Sequence, residues 1–238
     1  MTLGRFVQLT KEVYSKKTDL DKGTIQANFQ EEEKVLHIVF RGSDQSIDWW
    51  NHLLFVKTDV PYGNDKSKVR MHLGWVTEYK ESARSVVHAR VKEFLKRIPD
   101  GQIYVSGHSY GGALSIICSI DIQYNFGDVV KCIALASPRV GNRAFVKSFK
   151  KRVPSFSAYY GADIVHAVPP VFFGYRHIEG MHNFGKRKFF AVVGNTFKVI
   201  WWAIKGKPIQ ISDLSSLPVI LSDHHYNLLP ADLEVTFK

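Results

Sequence analysis

Ser109 lies in a glycine-dense joint between two apolar runs. The stretch QIYVSGHSYGGALSIICSI (residues 102–120) has a strand-like run before the serine and a helix-like run after it. Gly107 and Gly111 complete the pattern G-x-S-x-G. At a strand-to-helix turn this pattern holds a serine in a strained, exposed position, and the glycines remove side chains that would collide with the neighbouring elements. The joint therefore predicts a nucleophilic serine on an α/β fold.

A serine hydroxyl also needs a base to take its proton and an acid to orient that base. In folds with this type of turn, the chain order is serine, then Asp or Glu, then histidine. Asp163 comes just after the predicted strand SFSAYY, where loops of open α/β sheets carry catalytic groups. His224 follows much later, in LSDHHYNLLP. These two residues are the candidate acid and base.

The remaining sequence alternates predicted strands and helices. We expect a strand hairpin over 23–40 and a long helix over 76–97, because the apolar residues repeat with the periods of those elements. The elements expected after them are a strand (102–106), a helix (113–122), a strand (129–137), a helix (142–152) and a strand (155–160). This order predicts an α/β fold with a mostly parallel central sheet, antiparallel strands near its N-terminal side and helices on both faces.

Length and composition favour one globular unit, residues 1–238. The 238 residues are 45% hydrophobic and 23% charged, which suits a single sizeable core. Cys118 and Cys132 lie in apolar runs and are expected to be small buried hydrophobes, so we expect no metal and no cofactor. The first residues, MTLGRFVQLTKEVYSKK, show no long apolar core with a cleavage site, which favours an intracellular product.

The net charge of +10 is compatible with nucleic acid, an anionic membrane surface or acidic partners. The basic residues are spread over several segments, with no zinc-ligand pattern and no recognised nucleic-acid motif. We therefore expect no nucleic-acid partner.

Several segments together resemble the class 3 lipase family, over roughly residues 35–170. These segments are IVFRGSDQSIDWWNHL (38–53), MHLGWVTEY (71–79), VSGHSYGGALS (105–115), ALASPRVGN (134–142) and ADIVHAVPP (162–170). The resemblance implies an α/β-hydrolase fold. It also implies a serine hydrolase that cleaves carboxylic ester bonds of acylglycerols or related lipids through an acyl-enzyme.

The resemblance also implies roles for individual residues. Ser109 matches the nucleophile, Asp163 the acid, and Ser43 the oxyanion-hole residue, with the backbone N–H of Tyr110 completing that hole. Tyr110 stands where leucine is usual in the family. At the base the match is looser, because the family usually has a tyrosine three residues beyond the histidine.

In this chain Asn227 holds that place. His225 therefore remains an alternative to His224. Four further histidines are expected to have packing or structural roles: His108, His166, His177 and His182.

Two segments are candidates for contact with a lipid surface. In 186–207 an apolar helical face is flanked by basic residues, and it either packs on the protein's own core or docks on an anionic membrane. The stretch SIDWWNHLLF (46–55) is either a lid over the site or a helix packed on the sheet. The expected partner is a lipid or ester substrate. The alternatives are a phospholipase A-type hydrolase at anionic membranes and a non-catalytic protein that binds an acyl ligand or a partner.

Overall fold

The computed structural model describes residues 1–15, 17–42, 56–62, 67–161, 163, 165–178, 180–185 and 229–237. Within these ranges the helices are α1 (Leu3–Ser15), α2 (Leu73–Glu78), α3 (Arg84–Arg97), α4 (Tyr110–Phe126) and α5 (Arg143–Lys150). A π-helical turn, Tyr79–Ala83, joins α2 to α3, and 3₁₀ turns cover Val165–Ala167 and Val171–Phe173. The strands are β1 (Leu20–Lys22), β2 (Ile25–Glu32), β3 (Val35–Phe40), β4 (Lys57–Thr58), β5 (Met71–His72), β6 (Gln102–His108), β7 (Val130–Leu135), β8 (Gly141–Asn142), β9 (Ser155–Tyr159), β10 (Tyr175–Arg176) and β11 (Met181–Asn183).

Seven of these strands form the central sheet, in the order β1-β2-β3-β6-β7-β9-β11. The first three are antiparallel, and every pairing from β3 to β11 is parallel. The predicted hairpin over 23–40 is β2 and β3, in register from Ala27 opposite Phe40 to Glu32 opposite Val35. The predicted sheet, mostly parallel with antiparallel strands on its N-terminal side, is confirmed.

The sheet separates two hydrophobic clusters because successive side chains of a strand point to opposite faces. In β7, Cys132 and Ala134 face one cluster, whereas Ile133 and Leu135 face the other. Helices α2 to α5 cover the first face and α1 covers the second, so the prediction of helices on both faces is confirmed. Both cysteines are buried and unbonded to each other, as expected of small core hydrophobes.

The long helix predicted over 76–97 is interrupted. It begins at Leu73 and passes through the π turn before α3 starts at Arg84. The turn lies beside Asp121 of α4, which is fully buried. Asp121 accepts bonds from the Tyr79 hydroxyl (3.1 Å), from the Arg84 Nε (3.0 Å) and Nη2 (3.2 Å), and contacts the His88 Nε2 at 2.7 Å. A buried carboxylate needs such partners, and here they bind both sides of the π turn to the helix that follows Ser109.

The structure contains two features that were not predicted from the sequence, a helix and a small sheet. Helix α1 buries Leu3, Phe6 and Leu9 on the second face of the sheet. A small sheet, in the order β10-β8-β5-β4, consists of strands of two residues each, which are too short to show a period in the sequence. Among the described residues, no helix has the length and apolar character needed to cross a membrane.

Candidate active site

Ser109 occupies a strained backbone conformation between β6 and α4. Its φ is 59° and its ψ is −124°, although a residue with a Cβ avoids positive φ. The serine is buried, with 7% of its surface exposed, so the strained conformation is confirmed and the expected exposure is not. Its N–H donates to the Leu135 carbonyl at 2.9 Å, and its carbonyl accepts from the Gly112 N–H at 2.9 Å. Such strain persists only where surrounding contacts enforce it, and it is typical of functional turns.

The flanking glycines are required by close backbone contacts. A Cβ on Gly107 would lie 2.2 Å from the Gly111 carbonyl oxygen. A Cβ on Gly111 would lie 2.3 Å from the carbonyl oxygen of Phe40, at the end of β3. Neither distance is possible for a real side chain, so the strand and helix meet at a separation that only glycine permits. The structural reason given for the G-x-S-x-G pattern is confirmed.

The predicted oxyanion donors come from two places. Tyr110 is the first residue of α4, and the N–H groups of a helix's first turn point out of its positive N-terminus. Ser43 lies outside the described residues. The residue before it, Gly42, lies directly against the turn, since a Cβ there would be 2.9 Å from the His108 carbonyl oxygen and 3.2 Å from the Ser109 Cβ. The loop after β3 therefore reaches the same edge of the sheet as Ser109.

The side chain of Tyr110 ties this turn to α2. Its ring is fully buried, and its hydroxyl donates to the Glu78 carboxylate. Burial and the neighbouring carboxylate hold the pKa of this hydroxyl well above its usual value, so it stays a donor throughout the physiological range. Tyr110 was predicted from the sequence only for its backbone N–H; the sole signal for the hydroxyl bond was the tyrosine at a position where leucine is usual.

Tyr110→Phe should lower the free energy of unfolding by about 2 kcal/mol, because the partly buried Glu78 carboxylate loses a charge-assisted bond. Chemical denaturation measured by tryptophan fluorescence would give the value. Tyr124→Phe is the matched control, since Tyr124 lies on the same helix and is 55% exposed. Equal stabilities of the two variants would contradict the assignment.

Asp163 is on a loop at the edge of the sheet that carries Ser109. The carboxyl end of β6 is paired with that of β7, and β7 with β9, with His108, Leu135 and Ala158 in register. Ser109 follows β6 and Asp163 follows β9, two strand spacings or roughly 10 Å apart. That separation suits an imidazole between a hydroxyl and a carboxylate.

Asp163 is 1% exposed, and one of its oxygens accepts the Val165 N–H at 2.9 Å. The two candidate bases, His224 and His225, lie outside the described residues. The contact of Asp163 with an imidazole therefore stays a prediction.

The described histidines have other partners. His108 contacts the Tyr14 hydroxyl through its Nδ1 at 3.2 Å, and His182 stacks on Phe156 with ring centroids 5.1 Å apart. These contacts confirm the packing and hydrogen-bonding roles expected for both.

His166 and His177 form a pair on the loop after Asp163. The His177 Nε2 lies 2.8 Å from the His166 Nδ1 and donates to the His166 carbonyl at 2.6 Å. Burial, His166 and Arg139 hold the pKa of His177 well below its usual value, so it is neutral. Across the described ranges, no group of three His, Cys, Asp or Glu residues is placed to hold a metal ion.

A serine on a strained turn between a central parallel strand and its helix, with a buried Asp beyond a later strand of the same sheet, defines an α/β-hydrolase. Residues 37–173 match the family model of lipase (class 3), which is more than half of the chain. The chain therefore belongs to the class 3 lipase family, as the resemblance of its motifs indicated.

The relatives and solved structures that this chain is similar to include several lipases. A lipase of Rhizomucor miehei is 33% identical over 150 residues, covering 61% of this chain and 40% of the relative. Phospholipase A1-II 5 of Oryza sativa subsp. indica is 28% identical over 174 residues, covering 61% of this chain and 37% of the relative. The matched part thus spans about 40% of the length of these curated relatives.

Among solved structures, the Rhizomucor miehei triacylglyceride lipase superposes with a TM-score of 0.65 at 24% identity, covering 76% of this chain and 78% of that chain. A triacylglycerol lipase whose catalytic centre is formed by a serine protease triad gives a TM-score of 0.65 at 25% identity, with the same coverage. The first likeness shows the α/β-hydrolase fold.

Proposed function

We propose that this protein is a serine hydrolase that cleaves carboxylic ester bonds of acylglycerols or related lipids. The observation that carries the proposal is the strained backbone of Ser109 at the start of α4, with glycines at the two close contacts. The strained conformation does not stabilise the fold. It is the conformation in which this type of turn presents the hydroxyl of a nucleophilic serine. Family membership and the mono- and diacylglycerol lipase of Gibberella zeae, 35% identical over 129 residues (51% of this chain and 38% of the relative), support the ester chemistry.

The proposed reaction is transfer of an acyl group to water. His224, or its neighbour His225, takes the proton of Ser109 as the hydroxyl oxygen attacks the ester carbonyl. The N–H groups of Ser43 and Tyr110 stabilise the oxyanion, and Asp163 orients the imidazole and stabilises its protonated form. The imidazole gives its proton to the departing alcohol, and water then attacks the acyl-enzyme by the same route.

A phospholipase A-type activity is the second candidate, favoured by the similarity to the rice phospholipase A1-II 5. The basic residues in 186–207 and the apolar stretch 46–55 bear on this choice, as a membrane contact and a lid respectively. Both segments lie outside the described residues, so both roles remain proposals from the sequence. A non-catalytic acyl-binding protein is the third candidate, because a fold alone does not fix chemistry.

The deciding experiment is a panel of esters assayed with the wild-type chain: triacylglycerols, monoacylglycerols, phospholipids and short nitrophenyl esters. We expect hydrolysis of at least one lipid class and covalent labelling by a fluorophosphonate that is abolished in Ser109→Ala. Release of fatty acid from phospholipids alone would favour the second candidate. Absence of both hydrolysis and labelling in a folded chain would leave the ligand-binding alternative.

A further inference from the structure

Exposed apolar side chains are concentrated around the small sheet. Seven large hydrophobic side chains of the described residues are exposed, and five of them belong to this region. We call these five the side-sheet surface: Val56, Leu73, Val171, Phe172 and Phe173. They are connected, since the Val56 carbonyl accepts from the Leu73 N–H at 3.0 Å and from the hydroxyl of Tyr175, which begins β10, at 3.2 Å.

The most exposed part of the side-sheet surface is the 3₁₀ turn Val171–Phe173. Phe172 is 68% exposed and its ring contacts that of Phe173, with centroids 4.6 Å apart. The Phe173 N–H donates to the Pro170 carbonyl at 3.1 Å, and the Gly174 N–H donates to the Val171 carbonyl at 2.9 Å. A turn that satisfies its backbone groups internally can enter an apolar phase at a lower cost than an open loop.

Two cations are fixed beside this turn. The Lys57 Nζ donates to the Phe173 carbonyl at 2.5 Å and lies 4.5 Å from the centre of the Tyr175 ring. The Arg176 Nη1 donates to the Val171 carbonyl at 2.8 Å. Aromatic side chains with cations at their base are the arrangement that suits the boundary between acyl chains and anionic headgroups.

A basic helix continues this surface. Arg176 of β10 is paired with Gly141 of β8, and α5 begins directly after β8. The buried side of α5 carries Phe145, Val146 and Phe149. Its exposed side and the residues just after it carry only basic charges: Arg143, Lys147, Lys150, Lys151 and Arg152.

The charge bias extends along the sequence. From 129 to 178 the chain has eight Lys and Arg residues and one acidic residue, Asp163, which is buried. The segment that contains the apolar turn therefore carries an excess of positive charge, which favours a negative partner.

We infer that the side-sheet surface, with Lys57, Arg176 and the basic side of α5, docks this protein on an anionic phospholipid bilayer. Phe172 and Phe173 enter the headgroup boundary, and the cations contact the phosphates beside them. The inference rests on the proposed function for its purpose, because docking there places a lipid hydrolase on its substrate. The docking itself needs no catalysis, and it involves a different segment from 186–207.

Flotation with vesicles tests the inference, using phosphatidylcholine alone and phosphatidylcholine with 30% phosphatidylserine. We expect binding to the anionic vesicles, weakened by salt, and little binding to the neutral ones. Phe172→Ser should reduce binding to anionic vesicles about tenfold, because an aromatic side chain leaves the apolar phase. Tyr124→Ser, the same kind of change at an exposed aromatic residue of α4, should leave it unchanged.

A charge-matched pair of double variants tests the cations. Lys147→Gln/Lys151→Gln should reduce binding about tenfold, whereas Lys92→Gln/Lys96→Gln, with the same spacing on α3, should have a much smaller effect. Equal losses in both pairs, full binding of Phe172→Ser, or equal binding to neutral vesicles would overturn the inference. Release of the protein from anionic vesicles by added nucleic acid would also overturn the inference, because it would show that nucleic acid is the preferred partner.

Hydrolysis of a short soluble ester separates this inference from the proposed function. If the wild type hydrolyses the soluble ester but does not bind anionic vesicles, the docking inference is wrong and the proposed hydrolase activity remains. If the wild type binds vesicles and hydrolyses nothing, the docking stands and the hydrolase is wrong.

Discussion

Replacing Ser109 with alanine is expected to lower the turnover of ester hydrolysis by about 10⁴- to 10⁶-fold. The hydroxyl oxygen is the only heavy atom lost, but without it no acyl-enzyme can form. The effect is large because the members of a catalytic triad act as one unit. Steady-state hydrolysis of a nitrophenyl ester would give the turnover, and thermal unfolding would show that the fold is kept.

Ser85→Ala provides the control, since it removes the same hydroxyl from an exposed position on α3. Its turnover should equal that of the wild type. Near-wild-type activity in Ser109→Ala would end the assignment of the nucleophile, whatever the fold.

The second large effect is expected at Asp163. Asp163→Asn keeps the shape of the side chain, and its amide oxygen can still accept the Val165 N–H that now bonds to the carboxylate at 2.9 Å. It removes the charge that stabilises a protonated imidazole and selects the correct tautomer, which typically costs about 10⁴-fold in turnover. We expect the loss in kcat rather than in KM, measured on the same soluble ester.

Asp128→Asn, at an exposed position after α4, should have no effect on kcat. Of the two candidate bases, only the one that lies between Ser109 and Asp163 should match the serine variant when replaced by alanine. A small change in kcat for Asp163→Asn, with the fold retained, would show that another acid holds the base.

The central sheet and the serine turn could be predicted from sequence because their signals are local. The alternation along β3 and β7 reflects burial on both faces, and Gly107 and Gly111 mark backbone contacts that only glycine allows. The position of Asp163 on a loop after β9 was predictable from its place after a strand, and its role as the acid stays a prediction. The side-chain partners could not be predicted. The bond of Tyr110 to Glu78 joins residues 32 positions apart, and the sequence around each residue gives no sign of the other.

One correction and one contact that was not predicted have the same origin. The apolar period over 76–97 is real, but the bonds of Tyr79 and Arg84 to Asp121 fall on a π turn that no helical period reveals. The pair of His166 and His177 was expected only as ordinary histidines, since the contact depends on how the loop after β9 folds back. Periodicity reports burial, whereas these partners are set by tertiary contact.

The buried carboxylate of Asp121 has a consequence for how the molecule opens. Separating α3 from α4 would strand a negative charge in an apolar interior, so neither helix gains from loosening while the other stays in place. The two helices and the π turn should thus melt as one cooperative unit, and the conformation of Ser109 should survive thermal fluctuations up to the transition that unfolds the whole sheet. The rigidity of the turn is inherited from a contact about three turns further along its helix.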